Sequence, residues 1–292
     1  MSHHSYPPES SQGDIYSSVC DLAASTIRGY NTTIFAYGAA GTGKTYTMAG
    51  TEKKKGVIPR ITEDIFVAIQ ACEGSFHVEV SYVELHNNTF LNLLQAQSDK
   101  LTAQGGEDLE TRKGMEESPL LGVYLAGVPN LRLPVSTAAQ VSALLKAGNE
   151  KLAHARAAHA HTLHTILTLY VESRVTIPEG TELRLGKMHF VDLAGFERVT
   201  SSVDRGGSGG NGGNGGNGAA GPAPLTPHTP HTHTHTHSHP HVHVPYHDSK
   251  LTHLLADALG GNCKTVMLVT VGSEEEGYMH TMQVSLILKP SL

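Results

Sequence analysis

The sequence predicts an α/β domain, with helices layered on a central β sheet. Three observations carry that prediction. Strand-like and helix-like periodicities alternate along the chain. A β-branched and aromatic run, Thr32 to Tyr37, leads directly into the glycine-rich segment Gly38-Ala39-Ala40-Gly41-Thr42-Gly43-Lys44-Thr45, after which a helix can start. A second apolar run, His189-Phe190-Val191, ends on Asp192.

Taken in order, residues 1–13 are polar and are expected to be a disordered start. Residues 14–27 read as an amphipathic helix through Ile15, Val19, Leu22, Ala23 and Thr26, stopped by Gly29. The strand at 32–37 follows, then a helix over 58–71 with Pro59 in its first turn. Phe76, Val78, Val80 and Tyr82 alternate as a strand over 76–85. Residues 95–117 are polar and turn-rich, a surface excursion. A helix is expected over 136–146, strands over 164–171 and 183–191, a helix over 248–258, a strand over 265–271 and a last helix within 275–288. Between them, 201–221 is mostly Gly, Asn and Ser, and 222–244 is Pro, Thr and alternating His. That stretch has little to bury and reads as a disordered linker over 201–244, dividing a core of 14–200 from a second part at 245–292.

Composition bounds the function. The chain has 292 residues, 39% of them apolar, enough for a buried core. Its formal net charge of −6 argues against nucleic acid as a partner, because neutralising phosphates needs clustered Lys and Arg. Cys20, Cys72 and Cys263 lack metal-ligand or disulfide spacing and read as small buried thiols in a reducing compartment. No apolar run reaches the roughly 18 residues of a membrane span, and the start lacks a signal-peptide core, so a soluble cytoplasmic protein is expected.

The glycine segment fits the pattern G-x-x-x-x-G-K-[ST], whose small residues let backbone amides wrap phosphate groups. In that chemistry Lys44 reaches the β and γ phosphates and the Thr45 hydroxyl is a magnesium ligand. An accidental match in a chain of this length arises about once in a hundred sequences. Asp192, at the end of its apolar strand, is the candidate second magnesium anchor. A strand-terminal Asp is also a common turn former.

From Gly29 through Met48 the residues closely resemble the kinesin motor domain. The resemblance continues in order through Gly56-Val57-Ile58-Pro59-Arg60, Ser81-Tyr82-Val83-Glu84-Leu85, Asp192-Leu193-Ala194-Gly195-Phe196-Glu197-Arg198 and Val244-Pro245-Tyr246-His247-Asp248-Ser249-Lys250-Leu251-Thr252, then Leu259-Gly260-Gly261-Asn262. It implies a kinesin-type P-loop fold, ATP and Mg2+ as ligands, and microtubules (tubulin) as the track, hence a place on the cytoskeleton. It also implies site roles: Gly38, Ala39, Ala40, Gly41, Thr42, Gly43, Lys44 and Thr45 around the phosphates, Tyr46 near the adenine, Gly195 offering its amide to the γ phosphate, and Glu197 in the water network of hydrolysis. The His189 to Gly195 run and Lys264-Thr265-Val266-Met267 are similar to the chromokinesin group.

The chain departs from the family pattern at defined places. The first switch, Ser-Ser-Arg-Ser-His in the family, aligns with Ala160-His161-Thr162-Leu163-His164, so the Arg that would pair with Glu197 is Thr162. The Ser after Gly195 is Phe196, the Arg of the Pro-Tyr block is His247, and the low-complexity tract stands where the family has its main track-binding helix. The family's opening strand has no counterpart, and no coiled coil follows Leu292, so no oligomer is evident. These changes predict impaired hydrolysis and weak binding to acidic tubulin.

Other residue clusters carry less. The alternating histidines from His231 to His243 could hold zinc, nickel or copper, but a repeat-expanded linker explains them. The cluster His154, His159, His161 and His164 reads as surface and switch histidines. Glu63 with Asp64, and Glu107 with Asp108 and Glu110, read as solvated charge rather than paired catalytic acids. Three readings stay open: a diverged kinesin-type ATPase, a nucleotide-binding pseudo-motor acting as an interaction module, and a metal-binding tract on a non-functional remnant.

Overall fold

The computed structural model describes residues 4–94, 115–125, 131–159, 163–178, 180–195 and 244–272, with the side chains of 154–159 excepted. Apart from Val244 and Pro245, the described residues belong to one compact unit, Met1–Arg198 with Tyr246–Leu292.

The single helix expected over 14–27 is two, α1 (Gln12–Ser17) and α2 (Asp21–Ile27). Between them the Ser17 and Ser18 hydroxyls donate to the Asp14 and Ile15 carbonyls at 2.6 and 2.7 Å. Such bonds compete with the helix ladder, which restarts only at Asp21. Strand β1 (Thr32–Gly38), α3 (Lys44–Met48), α4 (Val57–Ala71) and β2 (Ser75–His86) lie where the sequence places them.

Later elements run beyond their expected ends. After the short strand β3 (Thr89–Asn92), the hairpin β4 (Met115–Ser118) and β5 (Gly122–Leu125), and β6 (Leu133–Val135), helix α5 spans Ala138–His159 rather than stopping near Lys146. Ala153, Ala155, Ala157 and Ala158 favour its continuation. β7 (His164–Ile177) and β8 (Gly180–Asp192) pair antiparallel from Thr165 opposite Asp192 to Ile177 opposite Gly180. Past Val171 the residues of β7 are largely unburied, so pairing holds a segment in which hydrophobic alternation is weak.

A 3-10 turn (Tyr246–Asp248), α6 (Lys250–Leu254) and α7 (Ala256–Gly260) replace the helix expected over 248–258. The break at Leu255 leaves both Leu254 and Leu255 only 2% exposed. β9 (Lys264–Thr270) follows. The expected helix at 275–288 and most of the 95–117 excursion lie outside the described residues, although its end forms β4.

Among the described residues, seven strands form one mixed sheet in the order β3-β2-β7-β8-β1-β9, with β6 also paired to β2. β1 runs parallel to β8 and β9, whereas β2, β7 and β8 pair antiparallel. Alternation along the central strands divides the core. Ile34, Leu167, Leu169 and Phe190 pack with Leu22, Ile61, Ile65, Leu145 and Leu152 of α2, α4 and α5. Phe35, Ile166 and Val191 belong to a second cluster with Val123, Leu125, Leu254 and Leu255, from β5 and the α6–α7 segment.

The cysteines correct one expectation. All three are free, but Cys72 is exposed and Cys20 and Cys263 are half-buried. Each sits at an element boundary rather than on a buried face: Cys72 ends α4, Cys20 precedes α2 and Cys263 precedes β9.

Candidate nucleotide site

The parallel strands β8, β1 and β9 end at one edge of the sheet, with Ala36 opposite Asp192 and Gly38 opposite Thr270. In α/β sheets this edge, beyond the carboxyl ends of parallel strands, is where ligands collect. The loop Ala39–Gly43 leaves β1 there. Gly41 and Gly43 have φ of +77° and +102°, a left-handed backbone that side chains disfavour. Gly38 is required for space, since a Cβ would lie 2.3 Å from the Thr270 carbonyl oxygen. The Thr42 hydroxyl donates to the Ala39 carbonyl at 2.8 Å and lies 2.6 Å from the Thr270 hydroxyl, tying the loop to β9.

The first residues of α3 carry the expected side chains. Lys44 is buried and its Nζ donates to the carbonyls of Gly38 (2.9 Å) and Ala39 (2.6 Å). The Thr45 hydroxyl donates to Asp192 Oδ2 at 2.5 Å, so the two candidate magnesium ligands meet across the gap between α3 and β8. A hydroxyl and a carboxylate are hard oxygen donors of the kind magnesium takes. Tyr46 is 44% exposed, and its carbonyl accepts a hydrogen bond from Gln12 Nε2 at 2.7 Å. Behind Thr45 and Asp192 a cavity of about 10 Å³ is lined also by Met48, Phe190 and Thr165, too small for more than one water molecule. That cavity cannot hold a nucleotide.

Beyond β8 the chain is held amide by amide. Leu193 N–H donates to the Ala36 carbonyl at 3.2 Å, and Ala194 N–H donates to His164 Nδ1 at 3.1 Å. Burial lowers the His164 pKa, with the Asp192 charge opposing it, so the imidazole is neutral at pH 7 and its Nδ1 can accept. Gly195 is the next residue. Glu197, Phe196 and the switch residues Ala160, His161 and Thr162 lie outside the described residues, as do the histidine tract and Glu107, Asp108 and Glu110.

The remaining candidates are surface charges. Glu63 forms an exposed ion pair with Lys55, and Asp64 accepts from the Tyr16 hydroxyl at the exposed surface, so both acids are solvated charge beside α4. Two contacts of the site were not legible in sequence: His164 with Ala194, and Thr42 with Thr270. The only signal for the second was a threonine at the end of an apolar strand.

Residues 3–216 and 231–286 match the family described as "Kinesin motor domain". The chain belongs to this kinesin family. The residues between the two matched stretches fall within the low-complexity tract. Kinesin-like protein KIN-8B of Arabidopsis thaliana is 31% identical over 284 residues, covering 96% of this chain and 32% of that protein. Kinesin-like protein Klp61F of Drosophila melanogaster is 32% identical, covering 95% of this chain and 26% of that protein. This kinesin-family chain therefore spans about a third or less of the length of those relatives. A solved structure described as "Structure of a fast kinesin: Implications for ATPase mechanism and interactions with microtubules" superimposes with a TM-score of 0.66 at 27% identity, covering 89% of this chain and 70% of that one. The fold is thus the P-loop fold of kinesin motors, a mixed sheet flanked by helices.

Proposed function

We propose that this chain binds ATP with Mg2+ at the glycine loop and couples its hydrolysis to movement on microtubules, as a cytoplasmic, cytoskeletal motor domain. The observation that carries the reading is the Thr45 to Asp192 contact. It joins the loop's hydroxyl to the strand-end acid over 147 residues of sequence, at the sheet edge where ligands bind.

In this reading Lys44 exchanges the Gly38 and Ala39 carbonyls for β- and γ-phosphate oxygens, a stronger charge-assisted bond. Thr45 and Asp192 hold magnesium, directly or through water. Gly38 to Gly43 wrap the phosphates, Tyr46 lies beside the adenine, the Gly195 amide meets the γ phosphate, and Glu197 orders the attacking water. Magnesium, when bound, neutralises charge on the transferring phosphoryl group.

A second reading, a nucleotide-binding pseudo-motor, is favoured by Thr162 and Phe196, which remove the family's switch arginine and a hydroxyl next to Gly195. Steady-state ATP hydrolysis with and without microtubules separates the two. The motor reading expects turnover that rises with microtubule concentration and is lost in Lys44→Ala. Nucleotide binding without stimulation would replace it with the pseudo-motor, and no nucleotide binding at all would sink both.

A further inference from the structure

We propose that His164 is a positioning residue that sets the Gly195 amide by accepting the Ala194 N–H on its Nδ1. The inference rests on the reading that Gly195 meets the γ phosphate, and it adds a residue that the phosphate itself never touches.

The geometry is specific. β8 ends at Asp192, which pairs with Thr165 of β7. Leu193 N–H makes the last bond to a sheet carbonyl, that of Ala36 at 3.2 Å. Ala194 N–H is then the first amide to leave the sheet, and at 3.1 Å it is captured by a side chain rather than by backbone. That side chain stands on a firm base: His164 is the first residue of β7 and is paired with Leu85 of β2, while its neighbour Thr165 faces Asp192. Only the φ and ψ of Ala194 separate the captured amide from that of Gly195. Anchoring the Ala194 N–H therefore restricts the directions in which the Gly195 amide can point, and preorganised donors act at a lower reorganisation cost.

The same bond joins the two segments that flank the terminal phosphate. His164 is the last residue of the stretch aligned with the first switch, and Ala194 lies in the second. One imidazole thus links both switch segments, and it is the one residue of the family's first-switch motif that this chain retains.

The test is equilibrium binding of fluorescent ADP and of a non-hydrolysable ATP analogue, each with Mg2+, to the full chain and its variants. His164→Phe keeps a ring but removes the acceptor; His164→Asn keeps an acceptor near the Nδ1 position. His164→Phe is expected to lose about five- to tenfold of the preference for the triphosphate, the worth of one hydrogen bond, with ADP affinity unchanged. His164→Asn is expected to restore most of it. An unchanged preference in His164→Phe, an equal loss in His164→Asn, or a parallel loss of ADP affinity would each overturn the proposal. His164→Ala gives the same readout if the Phe variant does not fold. If the unmodified chain binds ADP but does not prefer the triphosphate, the Gly195 reading fails first, and this inference with it.

Discussion

Lys187, on β8, is 2% exposed and donates to the Val123 carbonyl at 2.6 Å, with Asp257 Oδ2 3.7 Å away. Asp257 accepts the Val123 N–H at 2.9 Å, so this ion pair closes both polar groups of one hairpin residue. Burial lowers the ammonium pKa to about 8, against the attraction of Asp257. The folded value lies below the unfolded 10.5, so the unfolded chain binds more protons between them. Stability from this group must therefore rise from about pH 8 to pH 10.5, by on the order of 3 kcal/mol. Urea midpoints at pH 7.5 and pH 10 are expected to show that rise in the unmodified chain and to lose it in Lys187→Met; an equal rise in both would refute the assignment. His189 acts with the same sign in acid: burial and the Lys187 charge hold its imidazole well below 6.5, so stability falls as pH drops below that value. At this scale, legibility followed locality. Lys44 and Thr45 stand in a contiguous pattern, whereas Lys187 and His164 owe their environments to β5, α7 and β8 residues remote in sequence.

Among the elements, α5 shows most clearly how tertiary contact overrides local preference. Gly148 sits inside this helix, where propensity alone favours alanine by about 1 kcal/mol. A Cβ there would lie 2.4 Å from the Tyr82 ring. Tyr82 is buried, and its hydroxyl donates to Asn149 Oδ1 at 2.7 Å, so the ring cannot retreat without breaking that bond. Overpacking of a tight contact costs about 1–3 kcal/mol, more than the propensity gain. Gly148→Ala is expected to lower the unfolding free energy by about 1 kcal/mol, and a rise in the urea midpoint would show that Tyr82 yields freely. The same competition explains which elements could be read from sequence. α4 and β2 have regular apolar spacing on one face, so periodicity located them. The helices at 14–27 and 248–258 each read as one in sequence because their pattern continues across Ser17 to Cys20 and across Leu255, where serine hydroxyls and the burial of two adjacent leucines break the helix. The β4–β5 hairpin was invisible because its anchors, the Lys187 and Asp257 contacts, come from elsewhere in the chain.

For the whole molecule, the alternating pattern made an α/β class legible, and the glycine loop marked the candidate site, but neither gave the strand order. That order matters for ligand linkage. It places β1 and β8, far apart in sequence, side by side within the sheet, with Thr45 on α3 reaching Asp192 on β8. Both strands are buried in the two core clusters that cover the sheet's faces. A ligand gripping Lys44, Thr45 and Asp192 therefore binds only when the central sheet is formed, and its binding energy opposes global unfolding rather than fraying of a surface loop. At 100 times its dissociation constant, MgATP is expected to add about 2.7 kcal/mol, and at about 2–4 °C per kcal/mol for a domain of this size the Tm rises by roughly 5–11 °C. Lys44→Ala removes the ammonium that the proposed function sets against the phosphates and is expected to abolish the shift. Asp192→Asn removes the carboxylate charge and is expected to cut the additional shift that magnesium gives over ATP with a chelator, while leaving the magnesium-independent part. A full shift surviving in Lys44→Ala would place the nucleotide away from the glycine loop. A magnesium effect unchanged in Asp192→Asn would mean that the Thr45 to Asp192 contact only closes the end of β8, leaving the metal to be held by other groups.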